Sequence, residues 1–311
     1  MNAIQLPIEN AIGAPQVVTE ELYHRFIAFI DATPKTIETY TRALRQLFHY
    51  FSAKNITQPQ RSDIVAYRNE LKETLKPATV QSYITATRLF FQWTGQEHLY
   101  PNIANHIKGA TISRAHKKDY LTSQQVKAIL ASVSRDTLLG LRDYAMLALM
   151  ITGGLRTIEI VRANIVDMRT RGDETVLFIQ GKGQEEKAEY IKVRPLVEIA
   201  IRAYLRARGT AEPAQPLFAS ISNNSNGQSL TTRSVSRIIK ARLQAAGYDS
   251  DRLTAHSLRH TAVTLSLLGG NSLQEVQQFA RHSNITTTQL YAHNLERANN
   301  KCEETIAAAI F

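Results

Sequence analysis

Arg281-His282-Ser283-Asn284-Ile285-Thr286-Thr287-Thr288-Gln289-Leu290-Tyr291-Ala292-His293 places a guanidinium, two imidazoles and a phenol within thirteen residues. A tyrosine in such a run is ordinarily half-buried packing. As a nucleophile a phenol is weak while protonated, so it needs cations or a base beside it to react near neutral pH. The reading of this stretch therefore turns on what cations the rest of the chain can bring to Tyr291.

Three further stretches supply them. Thr152-Gly153-Gly154-Leu155-Arg156-Thr157-Ile158-Glu159 follows an apolar helical pattern, and its two glycines permit a tight turn that presents Arg156 at a surface. A structural arginine is the plainer alternative there, but the planar guanidinium fork is also suited to two nonbridging phosphate oxygens at once. His256-Ser257-Leu258-Arg259 sets His256 and Arg259 three residues apart, side by side on a helix, with Leu258 turned to the core and the polar pair turned outward. The neighbouring His260 reads as a packing or hydrogen-bonding residue. Gly181-Lys182-Gly183-Gln184-Glu185-Glu186 is a polar turn between two short strand patterns and puts Lys182 at a hairpin tip. His256, His260, His282 and His293 are also four possible nitrogen ligands for a metal. That reading is weak, because neither a cysteine pair nor a His-Glu-x-x-His helix is present and no acidic cluster accompanies them.

Around these stretches the pattern is mainly helical. Residues 1–17 carry little periodicity and read as a flexible lead-in. Residues 20–95 are helical throughout, most clearly where Ile37, Tyr40, Leu44, Leu47, Phe48 and Phe51 recur at spacings of three and four. A helix over 61–74 is broken at Lys76-Pro77, and another over 79–93 ends in Leu89, Phe90, Phe91 and Trp93, making a small all-α module. Residues 101–119 lose the apolar pattern and carry His106, Lys108, Arg114, His116, Lys117 and Lys118; they read as a basic linker able to lie along a phosphate backbone. Beyond Leu121 the chain turns mixed, with helices over 124–132 and 138–151, strands over 165–168, 175–180 and 189–193, and mostly helix thereafter, interrupted by a loop at 223–227.

The chain has 311 residues, room for two domains, with 37 Lys and Arg against 27 Asp and Glu, a formal charge of +10. Such an excess points to a polyanionic partner, since cationic side chains release condensed counterions on meeting phosphates. A single cysteine, Cys302, rules out an intrachain disulfide and fits a reducing, cytoplasmic setting. No apolar stretch reaches the length of a membrane span.

Taken in order, Gly153-Gly154-Leu155-Arg156-x-x-Glu159, Gly181-Lys182-Gly183, His256-x-Leu258-Arg259-His260 and His282-Ser283-x-x-x-Thr287-Thr288-x-x-Tyr291-x-His293 resemble the tyrosine recombinase (phage integrase, Xer-like) family. The resemblance covers essentially all of the chain after the lead-in. It implies a mainly α fold with a small β-sheet: an N-terminal all-α, SAM-like core-binding domain over 18–100, an α+β catalytic domain over 120–295, and a tail helix over 296–311 that docks on a neighbouring subunit. It implies that Tyr291 attacks the scissile phosphate to give a 3′-phosphotyrosyl bond, and that Arg156 and Arg259 clamp the nonbridging oxygens. Lys182 would protonate the leaving 5′-oxygen, with Lys187 its nearest rival. His256 would be acid or base toward the tyrosine, His282 would hydrogen-bond the phosphate, and Glu159 would brace the Arg156 turn. No metal or nucleotide cofactor is implied. The implied partners are duplex DNA carrying a recombination site and further copies of the chain, as a tetramer on two sites exchanging strands through a Holliday junction. A type IB topoisomerase-like enzyme and a catalytically silent DNA-binding protein of the same fold are the alternatives. Two departures stand out: an extra glycine, Gly153, and Arg281 where the family has a small residue. Arg281 is expected to add a phosphate contact, alongside Lys108, Arg114, Lys117 and Lys118, or to alter the turn.

Overall fold

The computed structural model of the chain describes residues 20–112, 119–181, 183–209, 212–298 and 301–311. The fold divides into two units, Met1–Arg114 and Ala115–Phe311. Among the described residues of the first unit are four helices: α1 (Glu20–Ile30), α2 (Pro34–Ala53), α3 (Arg61–Thr74) and α4 (Pro77–Gln96). Thr33 caps α2 by accepting from the Thr36 amide, and Pro34 fills a first-turn position where its missing N–H costs no hydrogen bond. The apolar stripe of α2 buries Leu44, Leu47, Phe48 and Phe51 against α4. Rings dominate this core: Phe90 meets Phe26, Phe48 and Phe91 edge-on, each at 5.4 Å between centroids. Each such side chain contributes roughly 1.5–3 kcal/mol by burial.

The stretch after α4 differs from the solvated linker expected. Ala104 and Ile107 are buried in the first unit's core, and the Lys108 carbonyl accepts from the Arg68 guanidinium at 3.2 Å. Two apolar side chains among polar ones suffice to fold it back, a signal too sparse for periodicity to register. The Lys108 side chain is exposed. Arg114, Lys117 and Lys118 lie outside the described residues.

In the second unit α5 (Ser123–Ser132) begins in a reciprocal capping box between Thr122 and Gln125, and α6 (Leu138–Gly153) runs buried along most of its length against α8 (Pro195–Arg208). Between them come α7 (Thr157–Arg162) and an antiparallel sheet of order β1 (Met168–Arg171), β2 (Glu174–Ile179), β3 (Glu189–Lys192). The first strand starts later than the apolar pattern suggests. Ile165–Asp167 is instead a single 3-10 turn, closed by the Asp167 carboxylate accepting the Asn164 amide at 2.7 Å. α9 (Thr232–Ala245), α10 (Ala255–Leu268), α11 (Leu273–Ala280), α12 (Ile285–Ala298) and α13 (Cys302–Ile310) complete the unit. α10 is buried from Ser257 to Thr264, and α11 and α12 pack on it. α13 has no buried residue: Ile306 is 58 % exposed, Ile310 68 %, and Phe311 fully exposed. No described helix is long and apolar enough to cross a membrane.

Candidate active site

The ends of α6, α10 and α11 and the middle of α12 meet around Tyr291. Gly154 ends α6 in the left-handed region (φ 57°), and a Cβ there would meet the Phe279 ring at 3.0 Å, so the turn requires glycine. Two residues on, Arg156 caps α7 in extended backbone and turns its side chain out, 29 % exposed. Glu159, fully buried, holds that turn: its Oε2 accepts the Arg156 amide and its Oε1 the Arg156 guanidinium, both at 2.8 Å. This is the bracing expected of Glu159.

Arg259 departs from expectation. It does not face outward beside His256 but is 1 % exposed, donating to the carbonyls of Gly154, at 2.6 Å, and Ala280. Two helix C-termini offer unsatisfied carbonyls at this point, which makes burial of the guanidinium tolerable. Burial, with the charges of Arg156 and Arg281, draws its pKa down to about 9. His256, three residues earlier, is exposed, and its ring stands edge-on to the buried His260 at 4.7 Å.

Arg281 also departs from expectation. Its side chain is 6 % exposed and turned inward, with Nη2 3.1 Å from Glu159 Oε2 and 3.0 Å from the Gly154 carbonyl. A guanidinium so engaged is not a surface phosphate contact, which corrects that reading of Arg281.

Tyr291, on α12, is 5 % exposed. His260 packs on it at 5.0 Å between ring centroids, and His282 stacks near-parallel at 6.2 Å. Burial pushes the phenol up to about 12, while Arg259 and Arg156 both pull it down. His282 shares a 2.9 Å hydrogen bond between Nδ1 and Thr288 Oγ1, and burial together with Arg259, Arg156, Arg281 and His256 lowers its pKa to about 4. It is therefore a neutral imidazole near pH 7, oriented through one nitrogen. Thr288, named in the sequence box but given no role there, lies three residues before Tyr291 and hence on the same helical face.

Lys182 lies outside the described residues. Its rival Lys187 is committed elsewhere, paired with the buried Asp167 carboxylate. No group of three metal-ligating side chains gathers among the described residues. Arg156, Arg259, His256, His260, His282 and Tyr291 thus fall in one neighbourhood that combines a buried phenol with two guanidiniums acting on it.

A buried phenol beside two anchored arginines thus sits on a mostly helical fold with a small sheet. Residues 119–297 match the model of the phage integrase family, and residues 24–98 that of the phage integrase N-terminal SAM-like domain. The chain belongs to the phage integrase family, the tyrosine recombinases. Tyrosine recombinase XerD of Listeria monocytogenes is 29 % identical over 285 residues, covering 88 % of this chain and 93 % of the relative. A tyrosine recombinase of Synechococcus elongatus is 28 % identical over 291 residues, covering 88 % and 89 %. Among solved structures, XerH site-specific recombinase in a post-cleavage complex with palindromic difH shares the fold with a TM-score of 0.72 at 21 % identity, over 86 % of this chain and 80 % of that one. A lambda integrase tetramer bound to a Holliday junction gives 0.66 at 16 %, over 87 % and 75 %.

Proposed function

We propose that this recombinase cuts and rejoins duplex DNA at a specific site with Tyr291 as nucleophile. The observation that carries the residue assignment is the buried phenol on which Arg156 and Arg259 both act electrostatically, with neutral His282 stacked against it. The Tyr291 oxygen attacks the scissile phosphorus and its proton passes to His256. Arg156 and Arg259 hold the nonbridging oxygens as the charged phosphorane forms, and His282 donates to the same phosphate. The bond to the 5′-oxygen breaks, and that oxygen takes a proton from Lys182, leaving a 3′-phosphotyrosyl ester. Attack by a 5′-hydroxyl of the partner strand reverses the steps. The ester keeps the phosphodiester's energy, so the cycle is balanced without a nucleotide. The Lys182 role rests on the glycine-flanked sequence pattern and on Lys187 being held by Asp167.

The first unit, with the exposed Lys108, is the module that grips the core site, and the cytoplasm is where it meets DNA. Assembly is a tetramer on two sites that exchanges strands through a Holliday junction. The lambda integrase tetramer of like fold supports this, as does an α13 whose apolar side chains are all exposed and suit docking on a neighbouring copy.

A covalent trap tests the reading. Nicked DNA from the host or element is incubated with the protein, quenched in detergent, digested and searched by mass spectrometry for a nucleotide on Tyr291. An adduct that vanishes in Tyr291→Phe is expected; DNA binding without any adduct would overturn the assignment. Substituting Lys182 should slow cleavage but spare a substrate whose 5′ leaving group is a thiol, and equal loss on both substrates would remove its acid role.

A further inference from the structure

Arg281 occupies an unusual position for a charged residue. Its backbone is left-handed (φ 53°), which favours glycine, and it closes α11 as the helix C-cap. Its guanidinium is nevertheless drawn into the protein, and its Nε is buried without a hydrogen-bond partner among the described residues. Strain and an unsatisfied donor together argue that the side chain is retained for something other than the stability of its own turn.

Its partners indicate what. Glu159 Oε2 takes both the Arg156 amide, at 2.8 Å, and Arg281 Nη2, at 3.1 Å, while Glu159 Oε1 takes the Arg156 guanidinium. The Arg281 main-chain carbonyl accepts from Arg156 Nη2 at 3.2 Å. On the other side, the Gly154 carbonyl is shared between Arg281 Nη2, at 3.0 Å, and Arg259 Nη1, at 2.6 Å. Arg281 also donates to the carbonyls of Phe279, at 2.6 Å, and Gly153, at 3.3 Å. The described hydrogen bonds of the Arg156 guanidinium therefore go to Arg281 or to the carboxylate it holds, and Arg259 shares an acceptor with Arg281. The departure at Gly153 is linked to that at Arg281 by a hydrogen bond.

We infer that Arg281 is a positioning residue that couples Arg156 and Arg259 into one phosphate clamp through Glu159, the Gly153–Gly154 carbonyls and its own main-chain oxygen. The inference rests on the proposed roles of those two arginines. Arg281 does not touch the phosphate; it fixes the distance and angle between the two forks that do. Misplacing a positioned group by about 1 Å can cost on the order of a hundredfold in rate.

The test is single-turnover cleavage of nicked DNA by Arg281→Gly and Arg281→Lys, on a normal scissile phosphate and on an uncharged methylphosphonate. Glycine suits the left-handed backbone, so Arg281→Gly should fold and bind DNA within about twofold of the parent while cleaving at least about tenfold more slowly. On the methylphosphonate, where the clamped charge is missing, that deficit should shrink toward none. Lysine restores the charge without the fork and should recover only part of the rate. Parental cleavage rates in both variants, or an equal deficit on both phosphates, would overturn the inference, the second outcome leaving Arg281 a merely structural brace. Should Arg281→Gly lose DNA binding, the same two-substrate comparison on Arg281→Lys decides between these results. Absence of a Tyr291 adduct in the parent would instead sink the reading of the site itself, whereas a parental adduct with unaffected variants sinks the clamp coupling alone.

Discussion

The two units solve opposite packing problems. The first is held by rings: Phe26, Phe48, Phe90, Phe91 and Trp93 fill its centre, and its described ion pairs, such as Arg25 with Glu97, lie at the surface. The second has an aliphatic core, yet it also buries Arg142, Asp143, Glu159, Asp167 and Arg259. Burying ions costs several kcal/mol each unless partners are fixed in place. Asp143 meets this with Arg142 and Arg242, at 2.8 and 2.6 Å. Around Tyr291, three guanidiniums face Glu159, with Glu189 contributing from further off, so the cations are incompletely neutralised. The contrast teaches that the second unit keeps a charge imbalance suited to an anionic ligand, whereas the core of the first buries no charged side chain among the described residues.

The largest expected effect tests that imbalance. Glu159→Ala removes the carboxylate from Arg156 and Arg281 and should destabilise the second unit by about 3–5 kcal/mol, since it leaves buried charge uncompensated. Cleavage should be lost with it. Urea unfolding and the covalent trap check both, and an unchanged midpoint would mean that the carbonyls suffice. Phe90→Ala should cost the first unit about 3 kcal/mol by emptying the centre of the ring cluster. Cleavage per bound complex should survive, and a parallel loss of cleavage rate would break the division between the two units.

A smaller effect comes from His282. Its folded value near 4 lies below the ordinary histidine value of 6.5, so between those values the unfolded chain binds more protons than the folded one. The stabilising preference for the neutral ring is complete above about pH 6.5 and is lost as pH falls through that window toward 4. Urea midpoints at pH 7 and pH 5 should therefore fall further apart in the parent than in His282→Gln, and equal shifts would show that another group carries the dependence. Smallest of all, Glu97→Gln at the surface pair with Arg25 should cost under about 1 kcal/mol and nothing measurable in high salt.

Much of this could be read from the sequence where burial follows a single period. The helix expected over 61–74 is α3, residue for residue, and its buried stripe is Ile64, Tyr67 and Leu71, with Val65, expected inward too, only half-buried. α4 starts two residues before its expected beginning, since Pro77 opens the helix rather than merely breaking the previous one. β1, Met-Arg-Thr-Arg, was expected three residues too early, over 165–168, because its side chains are mostly exposed and carry no alternation, while the apolar pair ahead of it belongs to the 3-10 turn. The ordered boxes brought Arg156, Arg259, His282 and Tyr291 together in advance. The direction in which Arg259 and Arg281 point was not legible. Each donates to the Gly154 carbonyl, more than a hundred residues away in sequence, and pattern along one segment says nothing about such an acceptor.

The hydrogen bonds between Arg281 and the Gly153–Gly154 turn also bear on how this site can change over generations. Replacing Arg281 alone takes one of two donors from Glu159 Oε2 and a donor from three carbonyls, while a side chain at Gly153 would press within 2.5 Å of Ile191 on β3. Each change thus meets an obstacle of its own, lost hydrogen bonds at Arg281 and the Ile191 side chain at Gly153. Because the two departures share a hydrogen bond, a change at one should alter the cost of a change at the other.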